Sequence, residues 1–191
     1  QKYHALTPYT PGEQPQDMPY VKLNTNESPF PPSPAVAEAL KGEAGRLQLY
    51  SDPECLLLRE KFAQVFSVKP EQVIMTNGSD EVLNFAFMAF ADEGRGLAFA
   101  DITYGFYKVL ASLVGVPRKV IPLKDDFSID IEDYINAEGT VFIANPNAPT
   151  GIALPLSDIE EIVAKNPDNV VVIDEAYVDF GAESAVSLVP K

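Results

Sequence analysis

Short runs of apolar residues alternate along this chain with longer segments in which apolar residues recur at helical spacing. The run 170–173 shows no alternation of apolar and polar positions, which indicates a strand buried on both faces. The same patterns predict strands at 73–75, 96–100, 118–122, 140–144 and 170–174, and helices at 34–42, 79–90, 104–113, 129–135 and 157–165, with a further helix opened by Ser51-Asp52-Pro53.

Strands that alternate with helices at short intervals predict an α/β fold, with a mostly parallel sheet and helices on both of its faces. We expect residues 35–191 to form such a domain, incomplete at its C-terminal side. Residues 1–34 are rich in proline, which fixes φ and lacks a donor, so they are predicted to form an extended arm. Apolar side chains in the arm favour docking on another surface over a disordered terminus.

Composition and charge exclude several classes of function. The net charge of −14 argues against general binding to nucleic acids or to anionic membranes. No apolar run approaches the roughly 18 to 20 residues that cross a bilayer, and the first residues lack a signal-peptide core. The single cysteine, Cys55, excludes an internal disulfide and is predicted to be a small buried side chain in a helix. These features together predict a cytoplasmic protein.

The single histidine, His4, leaves no His/Cys set for zinc and no base for a serine or cysteine nucleophile. Polar residues instead follow three predicted strands, whose carboxyl ends should share one edge of the sheet. The first group contains Gly78, Ser79 and Asp80, where a tight turn meets the start of a helix. Free N–H groups at that point suit a phosphate, although Ser79 or Asp80 could simply cap the helix. The turn is neither a Walker loop nor a dinucleotide fingerprint.

The second group is the turn 145–151, in which two prolines restrict the chain and Gly151 permits the tight turn, so that Asn side chains such as Asn147 are aimed toward the sheet edge. It is either an ordinary turn or a loop that positions a ligand. The third group is Asp174 with Tyr177. A buried carboxylate requires a donor or a cation, and one paired with a protonated ring nitrogen would make that ring an electron sink. The alternative is a structural aspartate with a core tyrosine.

These groups, taken in order, resemble the fold type I pyridoxal-phosphate aminotransferases, and among them the histidinol-phosphate aminotransferase family. The resemblance covers essentially the whole chain. The segments that carry it are Leu23-Asn24-Thr25-Asn26-Glu27-Ser28-Pro29-Phe30, Leu49-Tyr50-Ser51-Asp52-Pro53, Asn77-Gly78-Ser79-Asp80-Glu81, Thr103-Tyr104-Gly105-Phe106-Tyr107, Asn145 to Gly151 and Asp174-Glu175-Ala176-Tyr177.

The resemblance implies pyridoxal phosphate as cofactor and a role for each matching residue. Gly78, Ser79 and Asp80 match the turn that holds the cofactor phosphate, and Tyr104 matches the aromatic residue stacked on the ring. Asp174 matches the partner of the ring nitrogen, and Tyr177 the donor to the ring 3-oxygen. Tyr50 matches a tyrosine that reaches the phosphate of a neighbouring subunit, which implies a homodimer, and Tyr20 matches a substrate-binding tyrosine.

Two departures from the family pattern stand out. Ala148 occupies the position of an asparagine that contacts the ring oxygen, and adjacent Asn147 is the candidate substitute. The lysine that the family uses to bind the cofactor covalently lies beyond the Asp-x-x-Tyr motif, and the context of Lys191 does not match it. We therefore expect this chain to be inactive alone. The resemblance implies that the full-length protein transfers an amino group between glutamate and imidazole-acetol phosphate, giving 2-oxoglutarate and histidinol phosphate.

Two alternatives remain at this point. One keeps the fold and changes the reaction to that of a threonine-phosphate decarboxylase or an aromatic aminotransferase. The other is a non-catalytic α/β module for interaction or nucleotide binding. The second would gain support if Ser79, Tyr104, Asp174 and Tyr177 proved scattered over the fold.

Overall fold

The computed structural model describes His4 and residues 12–189. The first part of the predicted arm and Lys191 lie outside the described residues. Compact packing divides the chain into two units, with the boundary between Leu56 and Leu57. The boundary that we predict between an arm (1–34) and a domain (35–191) stays a prediction. The elements are α1 (Pro34–Glu43), α2 (Leu56–Phe66), α3 (Ser79–Phe90), β1 (Gly96–Ala100), α4 (Phe106–Val114), β2 (Arg118–Ile121), β3 (Gly139–Ala144), α5 (Leu156–Ala164) and β4 (Val171–Asp174).

The smaller unit, described over residues 12–56, contains α1 and the 3₁₀ turn Ala44–Arg46. Residues 12–33 form no helix or strand, and every residue from 12 to 54 is exposed. Helix α1 begins at Pro34, as predicted, because proline suits the first helical position. Ser33 caps it only through its backbone carbonyl, which accepts from Val36 and Ala37, while its side chain makes no capping bond.

Cys55 differs from its prediction. It lies just before α2 rather than within the helix, with a left-handed φ of 47°, and it is only half-buried. The helix begins one residue later because Asp52 Oδ2 accepts a hydrogen bond from the Leu56 N–H at 2.8 Å. An aspartate cap four residues upstream therefore sets the start of this helix.

The larger unit is built on a parallel sheet with the strand order β2-β1-β3-β4 among the described residues. Two apolar layers cover its faces. Leu97, Phe99 and Phe142 point toward α3 and α4, whereas Ala98, Val141 and Ile143 point toward α5 and the 3₁₀ turn Ile131–Tyr134. The predicted α/β class, with a parallel sheet and helices on both faces, is confirmed.

Three predicted elements differ from the structure. Residues 73–75 form no strand, because none of the described strands lies beside them to pair with their backbone groups. Residues 129–135 contain only the 3₁₀ turn Ile131–Tyr134. Strand β4 is half-buried rather than buried on both faces, since only β3 pairs with it in the described sheet. Among the described residues, no helix is long and apolar enough to cross a bilayer.

Strands β1 and β3 approach closely at Gly96 and Gly139, which pair with each other. A Cβ added at Gly139 would lie 2.1 Å from the Gly96 carbonyl oxygen. We expect Gly139→Ala to reduce the free energy of unfolding by about 2 kcal/mol or more, because backbone atoms would have to move. The measurement is urea denaturation of the two proteins.

Gly105→Ala is the matched control for that substitution. Gly105 adopts right-handed helical angles, and its added Cβ would meet no atom within 4 Å. Alanine is therefore expected to leave stability unchanged or to raise it by about 0.5 kcal/mol. Equal losses for the two variants would contradict the close approach of β1 and β3.

Candidate active site at the carboxyl edge of the sheet

The sheet reverses its winding direction between β1 and β3. From β1 the chain continues outward through α4 to β2, whereas from β3 it continues through α5 to β4 on the other side. In open parallel sheets, the crevice at such a reversal lies outside the carboxyl ends of the strands and is the usual place for a ligand. The loops that follow β1 and β3 meet there.

Asn147 joins those two loops. Its side-chain amide donates to the carbonyl of Ile102 at 3.0 Å and to Thr150 Oγ1 at 3.1 Å. Its Oδ1 accepts from Thr103 Oγ1 at 2.7 Å. The residue is only 4% exposed, so these bonds replace lost contacts with water. Both amide protons are in use, and a bond to a ring oxygen would require breaking one of them.

Asn145 bonds both to the segment that follows the turn and to β4. Its Oδ1 accepts from the N–H of Leu154 at 2.7 Å, and its backbone N–H donates to the carbonyl of Asp174 at 2.9 Å. The turn closes at Gly151, which has a φ of 73° and donates to the carbonyl of Asn147 at 2.7 Å. A residue with a side chain would be strained at that φ. The turn is therefore held at both ends.

Asp174 stands at the end of β4 and has donors on both carboxylate oxygens. Tyr107 Oη donates to Oδ2 at 2.7 Å, and the N–H of Ala176 donates to Oδ1 at 3.2 Å. Tyr107 lies in α4 and is completely buried. Burial, followed by the charge of Asp174, raises the pKa of the Tyr107 phenol well above its ordinary value, so it remains a donor.

The start of α3 forms the other side of the site. Gly78 has a φ of 76° and lets the chain turn into the helix, whose first N–H groups have no partner within the helix. Neither Ser79 nor Asp80 caps the helix with its side chain. Glu81, in the first turn, accepts a hydrogen bond from the backbone N–H of Asn77, which precedes the helix, at 2.8 Å. Asp80 Oδ1 accepts from Tyr104 Oη at 2.9 Å.

One cleft brings four of the predicted residues together, namely Ser79, Tyr104, Asp174 and Tyr177. The rest of its lining consists of small or rigid residues, Ala144, Pro146, Ala148 and Ala176. Gly78 and Asp80 adjoin Ser79, and Asn147 is buried beside Ala148. Tyr20 and Tyr50 belong to the smaller unit and are 50% and 104% exposed.

Two residues that fix the geometry of the site are not among those predicted from the sequence. Thr103 fixes Asn147, and Tyr107 meets Asp174. The signal for Tyr107 was available, because it lies on the apolar face of a helix with Leu110, Ala111 and Val114. A phenol on such a face usually has a hydrogen-bond partner inside the protein. Nothing in the local pattern indicates that this partner is Asp174.

Comparison with known proteins identifies the family of this chain. The family described as "Aminotransferase class I and II" matches residues 18–191. The chain belongs to this family. It is 57% identical over 190 residues to the histidinol-phosphate aminotransferase of Marinomonas sp. (strain MWYL1), covering 98% of this chain and 54% of that protein. It is 51% identical over 190 residues to the same enzyme of Clostridium acetobutylicum, covering 99% and 54%.

A solved aminotransferase structure shows the same fold. It is the histidinol-phosphate aminotransferase of Sinorhizobium meliloti in complex with pyridoxal phosphate, with a TM-score of 0.76 and 27% identity. The match covers 81% of this chain and 44% of that one. The predicted resemblance is thus confirmed, and the chain spans about half the length of the curated aminotransferases it matches.

The hydrogen bonds of Asn147 give a testable prediction for this aminotransferase chain. Asn147→Ala leaves the carbonyl of Ile102 and the hydroxyl of Thr103 without their buried partner. We expect the free energy of unfolding to fall by about 1 to 3 kcal/mol. Asn77→Ala is the matched control, since Asn77 is exposed and, among the described residues, its side chain bonds only to Glu81. Its loss should stay below about 0.5 kcal/mol. Similar losses in urea denaturation would contradict this role of Asn147.

Proposed function

We propose that the intact protein is a pyridoxal-phosphate-dependent aminotransferase that interconverts histidinol phosphate and imidazole-acetol phosphate, with 2-oxoglutarate and glutamate as the second pair. The observation that carries this proposal is the meeting of Ser79, Tyr104, Asp174 and Tyr177 in one cleft. A shared cleft argues against a non-catalytic module, for which these residues would have no reason to converge. The names of the curated relatives support the substrate.

The residues present fit the cofactor. Asp174 offers a carboxylate to a ring nitrogen, and both of its oxygens have donors that fix its orientation. A carboxylate can accept about four hydrogen bonds, so capacity remains for the ring N–H. The N–H groups that open α3 suit a phosphate. The side chain of Asp80 turns to Tyr104, which leaves the contact with phosphate to the backbone.

Bound pyridoxal phosphate supplies an electron sink for the carbon that loses or gains the amino group. Each residue of the chain then has a defined task. Asp174 holds a proton on the ring nitrogen, because its negative charge favours the cationic form. Tyr104 covers one face of the ring, and the hydroxyl of Tyr177 donates a hydrogen bond to the ring oxygen. Ala148 lines the cleft with a methyl group, which offers the ring an apolar contact and no hydrogen bond.

The remaining assignments are also proposals. Tyr20 contributes to the substrate site, and Tyr50 reaches the cofactor phosphate of a neighbouring subunit in a homodimer. Both side chains are exposed, as such roles require. The lysine that holds the cofactor covalently is expected beyond Tyr177 in the intact protein. The cytoplasmic location stays a prediction, as does a direct contact between Asn147 and the cofactor.

The substrate assignment is tested by assaying the intact protein with histidinol phosphate, threonine phosphate and aromatic amino acids, each with 2-oxoglutarate. We expect kcat/KM for histidinol phosphate to exceed the other values by at least about 100-fold. A site built to hydrogen-bond one substrate leaves its own polar groups unpaired when it holds a substrate that lacks the matching group. Release of carbon dioxide from threonine phosphate, or a preference for aromatic substrates, would assign the protein to one of the alternative reactions.

Asp174→Asn tests the proposed pairing with the ring nitrogen. Asparagine keeps the shape of the side chain but lacks the charge that holds the proton, so kcat should fall by roughly 100-fold or more. Asp179→Asn is the matched control, because Asp179 is exposed and lies five residues further along the chain. It should retain the activity of the natural protein. An Asp174→Asn variant with unchanged kcat would refute the assignment.

A further inference from the structure

The ring of Tyr107 packs among three phenylalanine rings. Its ring centroid lies 6.1 Å from that of Phe87, 6.0 Å from Phe99 and 5.9 Å from Phe142. A phenylalanine would fill this space with the same ring and no polar atom. The hydroxyl calls for a hydrogen-bond partner, since burying a phenol without one costs free energy.

The partner of that hydroxyl is the carboxylate that ends β4. Tyr107 Oη donates to Asp174 Oδ2 at 2.7 Å, across 67 residues of sequence. Because burial and the charge of Asp174 both raise the pKa of the phenol, Tyr107 keeps its proton throughout the ordinary pH range. The bond is thus a permanent restraint on one oxygen of the carboxylate, while the N–H of Ala176 restrains the other.

We propose that Tyr107 is a positioning residue that fixes the orientation of Asp174, so that the remaining acceptor sites of the carboxylate meet the ring nitrogen of the cofactor. This inference rests on the proposed function. Tyr107 is completely buried and is not among the residues that line the cleft, so it acts through Asp174. An unrestrained carboxylate could rotate about its side-chain torsions, and the pairing with the ring nitrogen would then lose its fixed geometry.

The same ring also supports the residue proposed to cover the cofactor. The centroids of Tyr104 and Tyr107 lie 5.7 Å apart, and their planes meet at 89°. This is the favourable edge-to-face arrangement of an aromatic pair. The ring of Tyr107 holds Tyr104 by packing, whereas its hydroxyl holds Asp174 by hydrogen bonding. The two effects can be separated, because Tyr107→Phe removes only the second.

The test compares Tyr107→Phe with Tyr134→Phe in the intact protein. Tyr134 is also a buried tyrosine, 1% exposed, but it belongs to the apolar layer on the opposite face of the sheet. Its hydroxyl has no hydrogen-bond partner among the described residues. Each apoprotein is titrated with nitrogen-15-labelled pyridoxal phosphate. The affinity and the ring-nitrogen chemical shift are recorded together with the thermal midpoint.

We expect Tyr107→Phe to weaken the apparent affinity for pyridoxal phosphate roughly tenfold and to move the ring-nitrogen resonance toward that of the neutral form. Tyr134→Phe should change neither. In an Asp174→Asn background, Tyr107→Phe should change the affinity by less than about twofold, because a residue that acts through Asp174 has no effect once its charge is gone.

Three outcomes would overturn the inference. The first is a Tyr107→Phe protein whose affinity and nitrogen resonance match those of Tyr134→Phe. The second is an equal loss of affinity in the presence and absence of the Asp174 charge. The third is failure of Tyr107→Phe to fold, which would assign the hydroxyl to stability. A natural protein that binds no pyridoxal phosphate, or binds it with a neutral ring nitrogen, would instead refute the proposed function itself.

Discussion

The pairing of β3 with β1 on one side and β4 on the other is the constraint on which the site depends. Every residue of β3 is buried, and its register with β4 sets Ala144 opposite Asp174. The next residue, Asn145, continues this pairing through its bond to the Asp174 carbonyl. The end of β3 therefore determines both where the stiff turn begins and where the carboxylate stands. A shift of this register by one residue would turn Asp174 to the other face of the sheet.

Local patterns predicted most elements of the larger unit, because strands in a parallel sheet are continuous apolar runs and surface helices repeat every 3.6 residues. The runs that became β1 and β3 are buried in the structure as expected. The run 73–75 is also apolar, but no described strand lies beside it. Strand formation depends on a partner that composition does not reveal. Cys55 shows the same limit at a helix end, since Asp52 rather than Cys55 determines where α2 begins.

The candidate site was predictable to the extent that topology alone assembles it. Parallel strands bring their carboxyl ends to one edge, so residues that follow β1, β3 and β4 had to lie near one another. The hydrogen bonds between those groups were not predictable. Thr103 and Asn147 are 44 residues apart, and Tyr107 and Asp174 are 67 residues apart. Such pairs depend on helix rotation and loop shape, which a single sequence does not specify.

The carboxylates around the cleft share one kind of partner, a neutral hydrogen-bond donor. Asp174 and Asp80 each accept from a phenol, and Glu81 accepts from a backbone N–H. Within the described residues, none of the three forms a salt bridge with lysine or arginine. A neutral donor orients a carboxylate without cancelling its charge, whereas a lysine would neutralise it. Asp174 therefore presents its carboxylate in a fixed direction at the rim of a half-buried strand. The complement of such a charge is a cation brought by the ligand, and a protonated pyridine ring is a ligand of this kind.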